Sequence, residues 1–243
     1  MVKVYNHFMK TYNRLLASLL LIVIVLSCFW LPGCAPSPVE TKREAAYYEA
    51  KYANESAPTG NVAQLLELLD KCVGGHYIFA GQGTQITRRF IDTMYERYPD
   101  YFSDGRLEYF FAIADDAEQN GRTFPDGYAW DCSGLWWYAA SDVLNLYGEP
   151  IDRTAHDTYH DFCTPITKED LQPGDIVFYE GLDGRISHMG IMGRHGYIYE
   201  AVSGFCGVVL KRTIDKRVYD NIVNGGVYIG SNWNRFGRPK IFE

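Results

Sequence analysis

The chain predicts an α+β fold, with helices packed on an antiparallel sheet of about five to six strands. Three observations carry the prediction. Apolar residues recur at three- and four-residue spacing in the stretch 61–75 and again in 133–147, the period of a helix with one buried face. From residue 171 onward the chain breaks into short β-rich runs divided by Gly- or Asp-containing turns, which reads as consecutive strands. Helices first and strands afterwards is the α+β order, because strands joined by short turns pair antiparallel.

The first 33 residues stand apart from the fold. Lys3, Lys10 and Arg14 make a basic start, LLASLLLIVIVL (15–26) is a continuous apolar run, and LPGC (31–34) sets a small residue before a cysteine. This is the layout of a signal segment (1–33) with a lipobox, and cleavage before Cys34 would leave that thiol carrying a lipid anchor. VLSC, ending at Cys28, has the same pattern, but Phe29 and Trp30 after it make a poor start for a mature chain. The other reading is an uncleaved spanning helix, since 15–32 nearly reaches the length of a bilayer crossing. Under either reading the chain is membrane-anchored and lies outside the cytoplasm. Residues 34–60 are polar, rich in Ala, Glu, Lys, Pro and Ser, and read as a tether.

The folded part follows at 61–243. Asn61 is placed to cap a helix whose apolar positions are Val62, Leu65, Leu66, Leu68 and Leu69, with Gly74 and Gly75 as its stop. The second helix carries Leu135, Trp136, Ala139, Ala140, Val143, Leu144 and Tyr147, and Gly148 ends it. The strand runs are DIVFYE, HMGIMG, YIYEAV, GVVLKRTI and GVYIGSNW. Between the two helices, RRFIDTMYERYPDYF and RLEYFFAIADDAEQNG read as two short helices within an insertion at 84–130. That insertion is either surface decoration or a lid over a cleft. Its aromatic residues (Phe90, Tyr95, Tyr98, Tyr101, Phe102, Tyr109, Phe110 and Phe111) favour the lid, although some must pack the segment's own core.

Charge excludes one class of partner. Lys3, Lys10 and Arg14 belong to the leader, which leaves 20 basic against 30 acidic residues beyond it. So acidic a chain is a poor partner for nucleic acid or for an electrostatic membrane footprint. Cys72, Cys132, Cys163 and Cys206 follow the anchor, can pair in three ways, and show no metal-knuckle spacing. His156 and His160 stand at i, i+4 with Asp157, Asp161 and Cys163 nearby, but no second ligand cluster accompanies them, so no metal is assigned.

AWDCSGLWWYAA (129–140) sets Cys132 where a turn opens a helix. A thiol there is either a small buried hydrophobe or a nucleophile whose thiolate the helix N-terminus stabilises. A nucleophile needs a base and the base an orienting partner. His188 opens the apolar strand SHMGIMG, and YIYEAV returns after the turn GRHG. If that hairpin centres on Arg194, positions whose numbers sum to 388 lie opposite one another, and His188 faces Glu200 across the ladder. The outcome is a Cys132–His188–Glu200 triad with the logic of papain-like catalysis.

DCSGLWWYAA, LQPGDIVFY, SHMGIMGRHGYIYEA and GGHYIFAGQG (74–83) resemble the signature blocks of the NlpC/P60 family of bacterial cell-wall cysteine peptidases. The resemblance spans roughly 61–230, in the family's order, apart from the insertion. It implies a papain-like fold, no cofactor, and hydrolysis in peptidoglycan stem peptides, commonly between γ-D-glutamate and a diamino acid. Cys132 matches the nucleophile and His188 the base; Tyr77 matches a tyrosine whose hydroxyl approaches the thiol; Asp131 and Ser133 match positions that contact the stem peptide in some members. The third catalytic position is commonly His, Asn or Gln. Here it is Glu200, a carboxylate that accepts the imidazole N–H and favours its charged form. An amidase on the same scaffold and a non-catalytic wall-binding lipoprotein are the alternatives.

Overall fold

Leu65, Leu66, Leu69 and Cys72 fall on one side of a helix, and that is the side the fold buries. The computed structural model describes residues 50, 52–103, 105–203, 208–213, 218–221, 227–230 and 233–243. The predicted leader, Cys34, the predicted tether up to residue 49, and Cys206 lie outside the described residues. Helix α1 runs Gly60–Cys72 and buries those four side chains. Short strands β1 (His76–Tyr77) and β2 (Gln82–Gln85) follow. Next come α2 (Arg88–Arg97), a 3₁₀ turn (Pro99–Phe102) and α3 (Arg106–Asn120). Strand β3 (Tyr128–Trp130) leads into α4 (Cys132–Trp137), which continues as a wider π turn over Tyr138–Val143. Helix α5 (Ala155–Phe162) precedes β4 (Cys163–Pro165) and β5 (Ile176–Glu180). The remaining strands are β6 (Ile186–Met192), β7 (Tyr197–Val202), β8 (Val208–Thr213), β9 (Val218–Asn221), β10 (Val227–Gly230) and β11 (Arg235–Pro239).

The α+β class predicted from the sequence is the class observed. Six strands in the order β8-β7-β6-β5-β11-β4 form a wholly antiparallel body. Three short strands extend it past β8: β1 joins antiparallel, β3 lies parallel to β1, and β2 returns antiparallel along β3. Strands β9 and β10 make a separate hairpin. The short strands escaped the sequence reading because two to four residues are too few to show a period. Strand β11, RFGRP, escaped it because Gly and Pro argue against a central strand. It is nonetheless central, pairing with β5 on one side and β4 on the other.

The main core lies where α1 and α4 meet the sheet. Leu65, Leu69, Leu135, Trp136, Ile176, Phe178, Met189, Ile191 and Tyr199 form one buried cluster. Each large aliphatic or aromatic side chain taken out of water there contributes about 1.5–3 kcal/mol before the entropy of ordering it is charged against it. This burial holds the start of α4 at the sheet, which is what places Cys132.

The insertion forms its two helices. Thr87 caps α2, its Oγ1 accepting the Phe90 N–H at 3.1 Å. Arg88 of α2 pairs with Asp115 of α3 and lies over the Phe111 ring. Ile86, Ile91, Met94, Phe102, Phe110, Ile113 and Ala114 make a second core. Most of the aromatic residues singled out in the sequence pack in or against this core, whereas Tyr95 is 43% exposed. The segment docks on β1 and the residues after it: the Tyr101 hydroxyl donates to the Tyr77 carbonyl at 3.0 Å, and Tyr98 meets the Phe79 ring edge-on at 4.8 Å.

Candidate active site

Strand β3 ends at Trp130 and α4 begins at Cys132, so a single residue makes the turn between them. That residue, Asp131, keeps an extended backbone and caps the helix. Its Oδ1 accepts the Gly134 N–H at 2.6 Å and the Ser133 hydroxyl at 3.1 Å, while Oδ2 accepts the Ala80 N–H at 2.9 Å. Its own N–H donates to the Gly81 carbonyl at 2.8 Å. Burial pushes the Asp131 carboxyl above its usual range, and the hydrogen bonds from Gly134, Ser133 and Ala80 pull against it. The hydrogen bonds that Asp131 and Ser133 make here are thus turned toward the fold and fix the turn carrying Cys132. Such a cap is worth about 1 kcal/mol.

Gly134 stands where this turn leaves no room for a side chain. A Cβ built there would collide with the Gly81 carbonyl oxygen and approach Asp131 Oδ1. The first accepts the Asp131 N–H and the second is the oxygen by which Asp131 caps the helix, so neither can move away cheaply. Gly134→Ala is therefore expected to lower stability by about 1–3 kcal/mol, through overpacking against backbone. A urea melt of the variant checks this, and an unchanged midpoint would contradict the close approach.

His188 lies on β6 and is 8% exposed; Glu200 lies on β7 and is fully buried. Their side chains meet, Nε2 to Oε2, at 2.9 Å. The strand register that brings this about differs from the one predicted. Ile191 pairs with Tyr199 and Met192 with Ile198, so opposing positions sum to 390 and the hairpin centres on His195. Glu200 consequently stands opposite Gly190, and reaches His188 diagonally. The cause is the turn: Arg194–Gly196 closes it as a 3₁₀ turn with His195 in the left-handed region at φ 57°. A displacement of two residues keeps every side chain on its original face, and so the His188–Glu200 contact survives it.

Gly190 is what makes the diagonal possible. A Cβ there would lie 3.4 Å from Glu200 Cβ and 3.1 Å from the Tyr199 carbonyl oxygen. With the bare backbone at that position, the Glu200 side chain has room to lean across. On the other flank, the Trp233 ring lies nearly parallel to the imidazole, with centroids 5.3 Å apart and planes at 15°. Nothing in the sequence marks Trp233 or Gly190, since their roles exist only through neighbours distant along the chain.

The site's electrostatics have opposing parts. Burial disfavours a charged His188 ring, yet hydrogen bonds with the Cys132 thiol and with Glu200, and the charges of both, outweigh it and raise the histidine to about 10. With Nε2 engaged by Glu200, Nδ1 is the ring nitrogen left for Cys132. Two further thiols behave otherwise. Cys72 and Cys163 are free and buried, and burial pushes each up to about 12. Cys132 is the partly exposed one among the described cysteines.

Tyr77 is buried beside this group, in register with Trp130 on β3, and belongs to the cluster on which Cys132 packs. His156 and His160 pack against each other on α5. His156 Nδ1 accepts the Ile186 N–H at 3.4 Å, and its ring lies 4.4 Å from that of His160. Asp157 binds Thr154 at the start of α5. Among the described residues no group of three or more His, Cys, Asp or Glu side chains is arranged to hold a metal ion. No helix of the described residues is long and apolar enough to cross a membrane.

A thiol at the first residue of a helix, an imidazole held against it, and a buried carboxylate behind the imidazole stand together on this α+β fold. Residues 119–221 match the model of the NlpC/P60 family, and over that segment the family resemblance read from the sequence is shown. The match contains Asp131, Cys132, Ser133, His188 and Glu200; Tyr77 and Trp233 lie outside it. No curated protein matches the chain. Among solved structures, NlpC2 from Trichomonas vaginalis is similar with a TM-score of 0.42 and 15% identity, over 76% of this chain and 49% of that one. The chain thus spans about half the length of that protein. The P60 domain of an antigen from M. avium subspecies paratuberculosis is similar with a TM-score of 0.42 and 20% identity, over 75% and 96% of the two chains. The peptidoglycan hydrolase RipB from Mycobacterium tuberculosis is similar with a TM-score of 0.38 and 19% identity, over 86% and 91%.

Proposed function

We propose that this chain is a peptidoglycan endopeptidase that hydrolyses an amide bond of the stem peptide, between γ-D-glutamate and a diamino acid. The observation that carries the reading is the buried His188–Glu200 contact at 2.9 Å, set against the thiol at the start of α4. Cys132 gives its proton to His188, and the thiolate attacks the amide carbonyl. His188 then returns the proton to the departing amine, which leaves a thioester on Cys132. Water, deprotonated by the same imidazole, hydrolyses the thioester. Glu200 accepts the imidazole N–H throughout and stabilises the charged ring without taking its proton. The leader and Cys34 would hold this domain at a membrane surface outside the cytoplasm, facing its polymeric substrate.

Purified muropeptides incubated with the protein, followed by mass analysis, test the assignment. Fragments ending in free γ-D-glutamate are the expected product. Loss of the whole stem from the glycan would indicate an amidase, and unchanged muropeptides a non-catalytic binding protein. Intact mass of the membrane fraction tests the tether: a form that retains residues 1–33 would mean an uncleaved helix.

A further inference from the structure

We propose that Trp233 is a positioning residue of this site: its indole fixes the plane of the His188 ring and keeps water from the hydrogen bond between His188 and Glu200. The inference rests on the functional reading above. Aromatic contacts in a packed core commonly meet edge to face. Here the two planes are 15° apart, and the indole presents its π-face to the imidazole. That face attracts a cationic ring.

Two features of the fold set the indole there. The first is Gly190, where a Cβ would lie 3.3 Å from Trp233 Cη2 and 3.4 Å from Glu200 Cβ. One missing side chain therefore makes room for both partners of the histidine. The second is a clamp immediately after Trp233. Asn234 Oδ1 accepts the Glu180 N–H at 2.8 Å, its Nδ2 donates to the Glu180 carbonyl at 2.9 Å, and its backbone N–H donates to the Phe178 carbonyl at 3.0 Å. Arg235 grips both Glu180 carboxylate oxygens at 2.8 and 2.9 Å. Trp233 is thus delivered by a segment fastened to β5, and it packs against a small cluster of Val177, Met192 and Ile198. The titratable groups around the imidazole are the Cys132 thiol from α4, Glu200 from β7, and Tyr179, in register with His188 on β5. The Glu180–Arg235 pair lies next along β5.

The test uses the full chain in detergent micelles. Trp233→Leu keeps apolar bulk but removes the π-face, and Trp233→Phe restores one. For Trp233→Leu, kcat on a soluble stem peptide should fall about tenfold, with KM within about twofold. The alkaline limb of the rate profile should move about half a pH unit lower, because the charged ring loses its stacking partner. The His188 ring N–H, followed by proton NMR, should exchange with solvent roughly tenfold faster. Trp233→Phe should recover most of all three effects. Gly190→Ala, which crowds the indole from behind, should reproduce them and serves if Trp233→Leu does not fold. An unmoved alkaline limb with unchanged N–H exchange overturns the proposal, as does a loss of activity that Phe fails to rescue. The exchange measurement needs no substrate, so it decides the role of Trp233 even if the chain cleaves no stem peptide.

Discussion

Cys132→Ala should lower turnover of a stem-peptide substrate by about 10⁴ or more, which corresponds to at least ~5.5 kcal/mol of barrier. No other described thiol can substitute. Cys72 and Cys163 are buried and held near 12 by that burial, so at neutral pH neither supplies an appreciable thiolate. Cys132 is partly exposed, begins α4, and has His188 as its hydrogen-bond partner. The same contrast gives a second measurement. Iodoacetamide near pH 6 should alkylate Cys132 far faster than Cys72 or Cys163, as read by peptide mass. Residual turnover within tenfold of the parent would remove Cys132 from the nucleophile's role.

Glu200→Gln should lower kcat roughly 10- to 100-fold, or about 1.4–2.7 kcal/mol of barrier. Gln keeps an acceptor for the imidazole N–H at the same length, so the ring's orientation is retained while the charge is lost. The direction of the pH effect follows from the site. Burial opposes the charged His188 ring, and Cys132 and Glu200 together overcome that opposition. Without the Glu200 anion, one of the two supports is gone and burial remains, so the ring loses its proton at lower pH. The alkaline limb of the rate profile should therefore move toward acid. Glu200→Ala should cost more, since the ring is then free to rotate as well. Full activity in Glu200→Gln, with an unmoved profile, would show that some other group orients His188.

These two expectations rest on residues that were legible in the sequence to different degrees. Cys132 was legible because its signal is local: an acid, a thiol and a small residue open an apolar helical run. Asp131 was legible as part of the same motif, yet its work was not. Its carboxylate is bonded to Gly134, Ser133 and Ala80, and Ala80 lies 51 residues away, a partner that no spacing along the chain announces. The pairing of His188 with Glu200 was legible through strand periodicity. Its register was not, because hairpin register depends on the turn, and here the left-handed conformation begins at His195, one residue before Gly196. The insertion's helices were legible, but the aromatic density that suggested a lid is largely that segment's own core.

Legible from the residues alone were the α+β class, the two helices on either side of the insertion, the strand runs after residue 171, and Cys132, His188 and Glu200 as three side chains that meet. Each is a property of spacing along the chain, where a period of 3.6 or 2 decides which face is buried. The diagonal reach of Glu200, the bare backbone at Gly190 that permits it, the indole of Trp233 on the imidazole, and the wedging of β11 between β5 and β4 emerge from the folded arrangement alone. Those depend on which backbone stands beside which. A chain with short strands does not announce that choice, because it is made by the burial and hydrogen bonding of partners that meet only once the sheet has closed.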